Sequence, residues 1–416
     1  MILESQNLCH FLYDLIRKHN QQNVWTEVDG ERLFIVQNAK DADYVLRVNH
    51  KNYHKNMLWF RHTLGQTRLS EDGEAWKNRQ QLTQPFFTHF DKEKLALISK
   101  KFTGQMINEV INKQGLTLDD SVLRKLSICI LTKYYFGITV EELGINIDNL
   151  TRLMDYGSEF SIAAPGSANK HSIKSIMADL MELRVQVLQD LAIFRYGHFS
   201  DSPILQALIQ ADSAQTGIIL EHELLALFTA GAETTASAIG WACYLLGRYP
   251  EIQHVLEEES AHAGHFDGYW EKLDHAVKLE SFISESLRLY PPVPVISRCA
   301  VQNDRIGDEV IDAGSKIAVS LVGIAYDMQT HKNPWVPNLE EALNNKLDKT
   351  QGRYSAFSFG PRVCGGKGFA MVELLSVMDT VCNKVHVETL DSGVPNFHWK
   401  SKMLYRGGFP VSFHLR

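Results

Sequence analysis

One cysteine in this chain is framed for chemistry. Cys364 lies in the run FSFGPRVCGG, with Phe357, Gly360, Arg362 and Gly366 around it. Five specified positions in ten, one of them a rare residue, match a random window on the order of once in ten million at average composition. A cysteine that binds a metal does so as a thiolate, and unpaired backbone N–H groups and the positive end of a helix stabilise that charge. Gly365 and Gly366 leave the backbone free to turn, so its amides approach the sulfur. The stretch Phe369 to Cys382 (FAMVELLSVMDTVC) is apolar at helical spacing and predicts the helix whose N-terminus meets the thiolate. Phe357 and Phe359 are apolar enough to keep water from the ligand. An isolated cysteine is most often buried and inert; the glycines and Arg362 argue against that reading here.

Two upstream segments carry further polar residues in apolar surroundings. A long helix is predicted over about Glu221 to Tyr249, and inside it stand Ala230, Gly231, Ala232, Glu233, Thr234 and Thr235. Glycine in a helix interior is about 1 kcal/mol worse than alanine, so helix stability did not select this run. A hydroxyl at Thr234 bonding the Ala230 carbonyl opens the helix locally, and Gly231 is expected to leave room for a small molecule. An acid beside an alcohol in a dry helix suits proton relay. Farther on, Glu285 and Arg288 share a helix face at i, i+3, ahead of Tyr290, Pro291, Pro292 and Pro294, which end the helix, and of Arg298 in a predicted strand.

Together these segments resemble the haem-thiolate monooxygenases, the cytochrome P-450 family, whose cysteine loop reads Phe, two residues, Gly, one residue, Arg, one residue, Cys, one residue, Gly. Every specified position is met. The resemblance covers about Asn7 to the C-terminus and implies a mainly α fold with a small mixed β region. It implies haem b with Cys364 as axial thiolate, Phe357 and Gly366 at the cofactor, and Arg298, Arg362 and Trp76 at its propionates. Glu233 and Thr234 become the proton-delivery pair for O2, and Glu285 with Arg288 a buried structural pair behind the haem. The family's basic residue four positions after the tryptophan is Gln80 here; Arg79 stands one place early, about 100° round the helix. Between Pro334 and Phe357 the family carries an aromatic, Pro-rich meander with an arginine. This chain reads WVPNLEEALNNKLDKTQGRYSA, with Lys349 and Arg353 as the nearest basic residues, and lysine lacks bidentate guanidinium geometry.

The implied reaction is oxidation of an apolar small molecule, a terpenoid, steroid-like compound or other natural-product intermediate, in a pocket of Trp59, Phe60, Phe228, Ala230, Val295, Ile296 and Phe409. A fatty-acid hydroxylase, a peroxide-using haem-thiolate enzyme and a non-catalytic haem sensor or carrier are the alternatives. Electrons from NAD(P)H are expected indirectly, through a separate reductase and a ferredoxin or flavodoxin. Lys77, Arg79, Lys92, Lys94, Arg362 and Lys367 are candidates for docking that acidic donor.

Composition fits these expectations. The net charge of −7 argues against nucleic acid as partner. The 416 residues, 44% of them hydrophobic, supply a large core, and with no Gly/Ser linker or repeat they are expected to form one domain, 1–416, without a fused reductase. Asn7 to His19 predicts an amphipathic helix too short and polar to span a bilayer, so neither membrane anchor nor signal peptide is expected. Six cysteines without paired spacing fit a reducing, cytoplasmic setting. Strands are predicted at Val24 to Gly30 and Arg32 to Gln37 as a hairpin, at Val295 to Cys299, Val310 to Ile311, Lys316 to Ser320 and Val411 to His414. Further helices are predicted at Ala39 to Val48, Lys92 to Phe136 and Ile173 to Phe194.

Overall fold

Three helices and one sheet position the residues singled out above. The computed structural model describes residues 7–19, 21–28, 30–55, 57–112, 117–160, 170–197, 199, 201–261, 266–328, 331–345, 355–391 and 393–416. The N-terminal helix α1 (Leu8–His19) buries Leu8, Cys9, Leu12, Tyr13, Leu15 and Ile16, a stripe of helical period. The hairpin follows as expected, β1 (Val24–Val28) with β2 (Glu31–Val36). The same sheet takes in the nearby β3 (Tyr53–His54) and, from far along the chain, β4 (Val295–Ala300) and, after a separate hairpin of β5 (Asp304–Ile306) and β6 (Glu309–Ile311), β7 (Lys316–Ser320), which pairs with β2. The sheet runs β1-β2-β7-β4-β3, with β2 and β7 parallel and the other pairs antiparallel. Register places Arg298 opposite Ile317, one position in from the end of the β4–β7 pairing.

Helices make up the rest of the frame. Among them are α2 (Gly73–Thr88), α3 (Lys92–Asn112), α4 (Asp120–Phe136), α5 (Ile147–Phe160), α6 (Lys170–Leu191), α7 (Leu220–Phe228), α8 (Thr234–Arg248), α9 (Val277–Leu289) and α10 (Lys367–Lys384). The single periodic stretch expected from Lys92 to Phe136 is two helices, because Asp119 caps a new N-terminus by accepting from the Ser121 amide. A π turn, Thr229–Glu233, joins α7 to α8. Both α8 and α10 are buried on most faces and pack on each other and on α9. Two C-terminal strand pairs close the core: β8 (Val385–Thr389), β9 (Phe397–Trp399), β10 (Met403–Tyr405) and β11 (Val411–Leu415), with β8 paired to β11 and β9 to β10. No helix among the described residues is long and apolar enough to cross a membrane.

One buried acid in α10 makes stability depend on pH. Glu373 is 1% exposed, and neither carboxylate oxygen has a hydrogen-bond partner among the described residues. Burial pushes it up from the ordinary 4.5 to about 8; the Ser127 hydroxyl, near but outside hydrogen-bond geometry, opposes this only in part. The folded state therefore holds a proton that the unfolded chain releases, and the stability this contributes is full below about pH 4.5 and lost as pH rises through 8. Glu373→Gln keeps the shape and removes the titration. Thermal unfolding measured from pH 5 to 8.5 is expected to show the variant gaining on the parent as pH rises; a constant difference would mean that the carboxylate has found a partner.

Candidate functional site

The cysteine loop is built on one backbone approach. Gly360 sits at φ +77°, and a Cβ there would lie 2.2 Å from the Leu46 carbonyl oxygen, so only glycine fits. The turn Gly360–Arg362 follows, the Cys364 amide donates to the Phe357 carbonyl at 2.9 Å, and Gly366 caps α10. Crowding raises the Cys364 thiol, while the backbone N–H groups of Gly366 and Lys367 and the charges of Arg68 and Lys367 pull it down. Of the six cysteines Cys364 alone is exposed. Burial pushes the Cys243 thiol up to about 12, which leaves it inert. Gly365 lies under a side-chain relay: a Cβ would come 2.6 Å from the Arg68 guanidinium, which donates to Gln84, whose amide in turn donates to the Gly365 carbonyl at 3.2 Å.

Beside the loop lies a cluster of cations. Arg362 stacks on the Trp76 ring, 4.0 Å from its centroid, and donates to Asp72. The buried Arg298 donates to the Ser297 carbonyl of its own strand at 2.8 Å. Lys55, which the sequence reading did not single out, joins them and donates to the Leu69 carbonyl at 3.0 Å. Arg362 Nη1 is buried with no hydrogen-bond partner among the described residues. Desolvation pushes both guanidinium groups down, to about 10. Arg79 is elsewhere. It is buried in an ion pair with Glu223 at 3.0 Å and bonds the Ala75 carbonyl at 2.9 Å.

The helix between α7 and α8 opens as the sequence predicts. Thr234 Oγ1 donates to the Ala230 carbonyl at 2.7 Å across the π turn, and Thr229 and Thr235 make the equivalent bonds to Leu225 and Gly231. Ala230 is exposed and Thr234 half-buried in an otherwise buried helix, so this turn faces open space. Two expectations change. Gly231 does not hold room for a ligand: a Cβ would meet Leu131 of α4 at 2.8 Å, so the glycine admits a neighbouring helix. Glu233 points away from Thr234, because successive helical residues diverge by about 100°. Its carboxylate, 2% exposed, is held by the buried Lys402 from the β9–β10 turn and by Arg124 at 3.4 Å, and Arg124 also binds Asp120 and Asp155.

Glu285 and Arg288 are both 1% exposed and bind each other through two hydrogen bonds, at 2.8 and 2.9 Å. The remaining guanidinium donors reach the Pro334, Val336 and Ala325 carbonyls, and the Asn338 amide donates to Glu285 at 2.8 Å. Main chain thus supplies partners around this pair; Lys349 and Arg353 lie outside the described residues. Of the six basic residues considered for docking, Lys77, Lys92, Lys94 and Lys367 are exposed, whereas Arg79 and Arg362 are turned inward to their carboxylates. Among the expected pocket residues, Phe60, Val295 and Ile296 are half-buried. Phe228 packs near Phe136 and Phe409 on Trp241, both in the core, and a Cβ at Gly240 would lie 2.1 Å from the Phe409 ring. The side chain of Trp59 lies outside the described residues.

This arrangement fits an iron porphyrin. A cysteine sulfur approached by backbone donors stands beside the buried Arg298 and half-buried Arg362 guanidinium groups, whose donors are incompletely used among the described residues, and carboxylates complete such groups. A protein-family model described as Cytochrome P450 matches residues 2–407. The chain is 25% identical to "Cytokinin hydroxylase" of Arabidopsis thaliana over 77% of its own length and 66%, just under two thirds, of that protein's. It is 22% identical to "Cytochrome P450 94A2" of Vicia sativa, over 93% of this chain and 83% of that one. The solved haem domain of cytochrome P450DA superposes with a TM-score of 0.83 at 14% identity, covering 100% of this chain and 93% of that one, a likeness of fold.

Proposed function

The chain belongs to the cytochrome P450 family, and from that premise we propose that it is a haem-thiolate monooxygenase acting on an apolar small molecule. The observation that carries this reading is Cys364, exposed at the start of α10 and approached by the Gly366 and Lys367 amides. Haem b held there would supply the iron at which O2 is reduced with two electrons from a separate donor and two protons, one oxygen atom entering a C–H bond and the other leaving as water. Arg298, Arg362 and Trp76 would hold the cofactor's carboxylates, and Phe357 and Gly366 shape the turn that carries Cys364. The Glu285–Arg288 pair fixes α9 against the segment around Pro334 to Asn338.

Protons come by way of the opened helix. Thr234, half-buried at the π turn, is the member of the acid–alcohol pair that faces the site; Glu233, turned away and tied to Lys402, anchors the helix behind it. Phe60, Ala230, Val295 and Ile296 offer an apolar wall, which suits an apolar substrate, a terpenoid, steroid-like or other natural-product intermediate being the first reading and a fatty acid the second. The relative named a cytokinin hydroxylase is consistent with small-molecule oxidation. Lys77, Lys92, Lys94 and Lys367 remain for an acidic ferredoxin or flavodoxin, and we place the enzyme in the cytoplasm as one domain.

Thr234→Ala tests the relay. Product formed per electron consumed is expected to fall on the order of a hundred-fold, with reductant oxidation continuing as peroxide is released. Unchanged coupling would remove Thr234 from proton delivery and favour a peroxide-using enzyme or a non-catalytic haem binder.

A further inference from the structure

We propose that Glu373 is a redox-linked proton carrier: buried in α10 without a counter-charge, its carboxyl takes up a proton when the haem held at Cys364 gains an electron and releases it when that electron leaves. The inference rests on the haem reading above and adds to it a residue for which that reading has no use. Glu373 is 1% exposed, and neither carboxylate oxygen has a hydrogen-bond partner among the described residues. The Ser127 hydroxyl of α4, which acts on it, is fully buried and equally without a partner there. An ionised carboxylate in such a place is costly, and an acid poised between its two forms answers to any charge that changes nearby.

No standing charge competes for it. α4 faces Glu373 with Ser127 and with the Tyr135 phenol, which the carboxylate pushes up. α2, α3, α8, α9, β8 and the helices Pro250–Ala261 and Tyr269–Asp274 also pack on α10, and no charged group of theirs acts on Glu373 among the described residues. Asp379, the other buried acid of α10, shows the contrast: it is answered by Lys272 and by the Ser260 and Tyr269 hydroxyls. The charge that changes lies at the start of the same helix. Gly366 caps α10 just after Cys364, and Glu373 stands about 10 Å farther along the axis. An electron added at the Cys364 end leaves one more negative charge there. At an effective dielectric of about 20, a unit charge at such a separation strengthens proton binding on the order of ten-fold. Burial has already lifted the carboxyl to about 8, so the linkage falls in an accessible pH range. Each reduction takes one electron from the donor and one proton from solvent, and oxidation returns both; the only bond that forms and breaks on Glu373 is a carboxyl O–H.

The test reads the haem's midpoint potential and needs no substrate. Haem-loaded parent and Glu373→Gln are titrated spectroelectrochemically from pH 6 to 10; glutamine keeps the shape of the neutral acid. Parent and variant are expected to agree below about pH 7, where Glu373 holds its proton in both oxidation states. The parent's potential is then expected to fall as pH rises from about 8 to about 9 and to level off, lower by about 59 mV, the ten-fold change in proton binding expressed for a one-electron couple. The variant is expected to stay level throughout. Reduced-minus-oxidised infrared difference spectra of the parent at about pH 8.5 are expected to show the carbonyl stretch of a newly protonated carboxyl, which keeps the proposal testable even where the variant fails to fold. A parent as level as the variant, a fall of the same size in both, or a parent spectrum without that band overturns the assignment. A parent that takes up no haem overturns the haem reading itself, and this inference with it.

Discussion

Cys364→Ser is expected to abolish the strongly red-shifted Soret band of the reduced, carbon monoxide-bound protein, and turnover with every electron donor. The effect is the largest available because the sulfur does what no neighbour can. A serine oxygen in that position is a poor anion at neutral pH and donates little electron density to iron, whereas thiolate donation favours O–O cleavage. The loop itself has little reason to rearrange, since it is held by the Cys364 amide on Phe357 and by the fit of Gly360 against Leu46, neither of which involves the sulfur. Haem content measured alongside separates loss of ligation from loss of folding. Cys299→Ser, at a half-exposed cysteine of β4, is the control and is expected to leave the band in place. A red-shifted band that survives in Cys364→Ser would withdraw the thiolate assignment.

The second large effect is expected at Arg288. Its guanidinium is 1% exposed and makes two bonds to Glu285 and three to main-chain carbonyls. Arg288→Lys keeps the charge but cannot reproduce the planar fork, so several of these acceptors lose their donor in a dry interior. Arg288→Met goes further and leaves the Glu285 carboxylate buried without its cation. Breaking a buried pair from one side destabilises by about 3–5 kcal/mol, and urea unfolding is expected to show that loss in Arg288→Met and a smaller one in Arg288→Lys. Because the same guanidinium ties α9 to Pro334 and Val336, haem retention is expected to fall in parallel. Normal unfolding midpoints in both variants would show that the pair is replaceable.

Both predictions concern residues that spacing alone reveals. Cys364 with its glycines, Glu285 with Arg288, and Thr234 with the Ala230 carbonyl are relations within one turn or one helix, where i, i+3 and i, i+4 geometry follows from the backbone. The apolar periodicity that marks α8 and α10, and the alternation that marks the β1–β2 hairpin, are local in the same sense. Sequence by itself therefore determined the cysteine loop, the opened helix, the helix-dominated fold and the family resemblance.

Tertiary structure decided what these residues do with one another. Glu233 reads as a free acid beside an alcohol, yet its partner is Lys402, 169 residues away. Arg79 reads as a displaced cofactor ligand, and its partner is Glu223 on α7. Gly231 reads as a gap and is filled by Leu131. Lys55 gives no signal in sequence, because a lone lysine is usually a solvated one; the β3–β4 pairing makes it part of an inward-facing charge cluster. The physical reason is common to all four. A charge or a gap takes its meaning from the groups that desolvate or neutralise it, and those arrive through long-range strand pairing and helix packing, which no local spacing encodes.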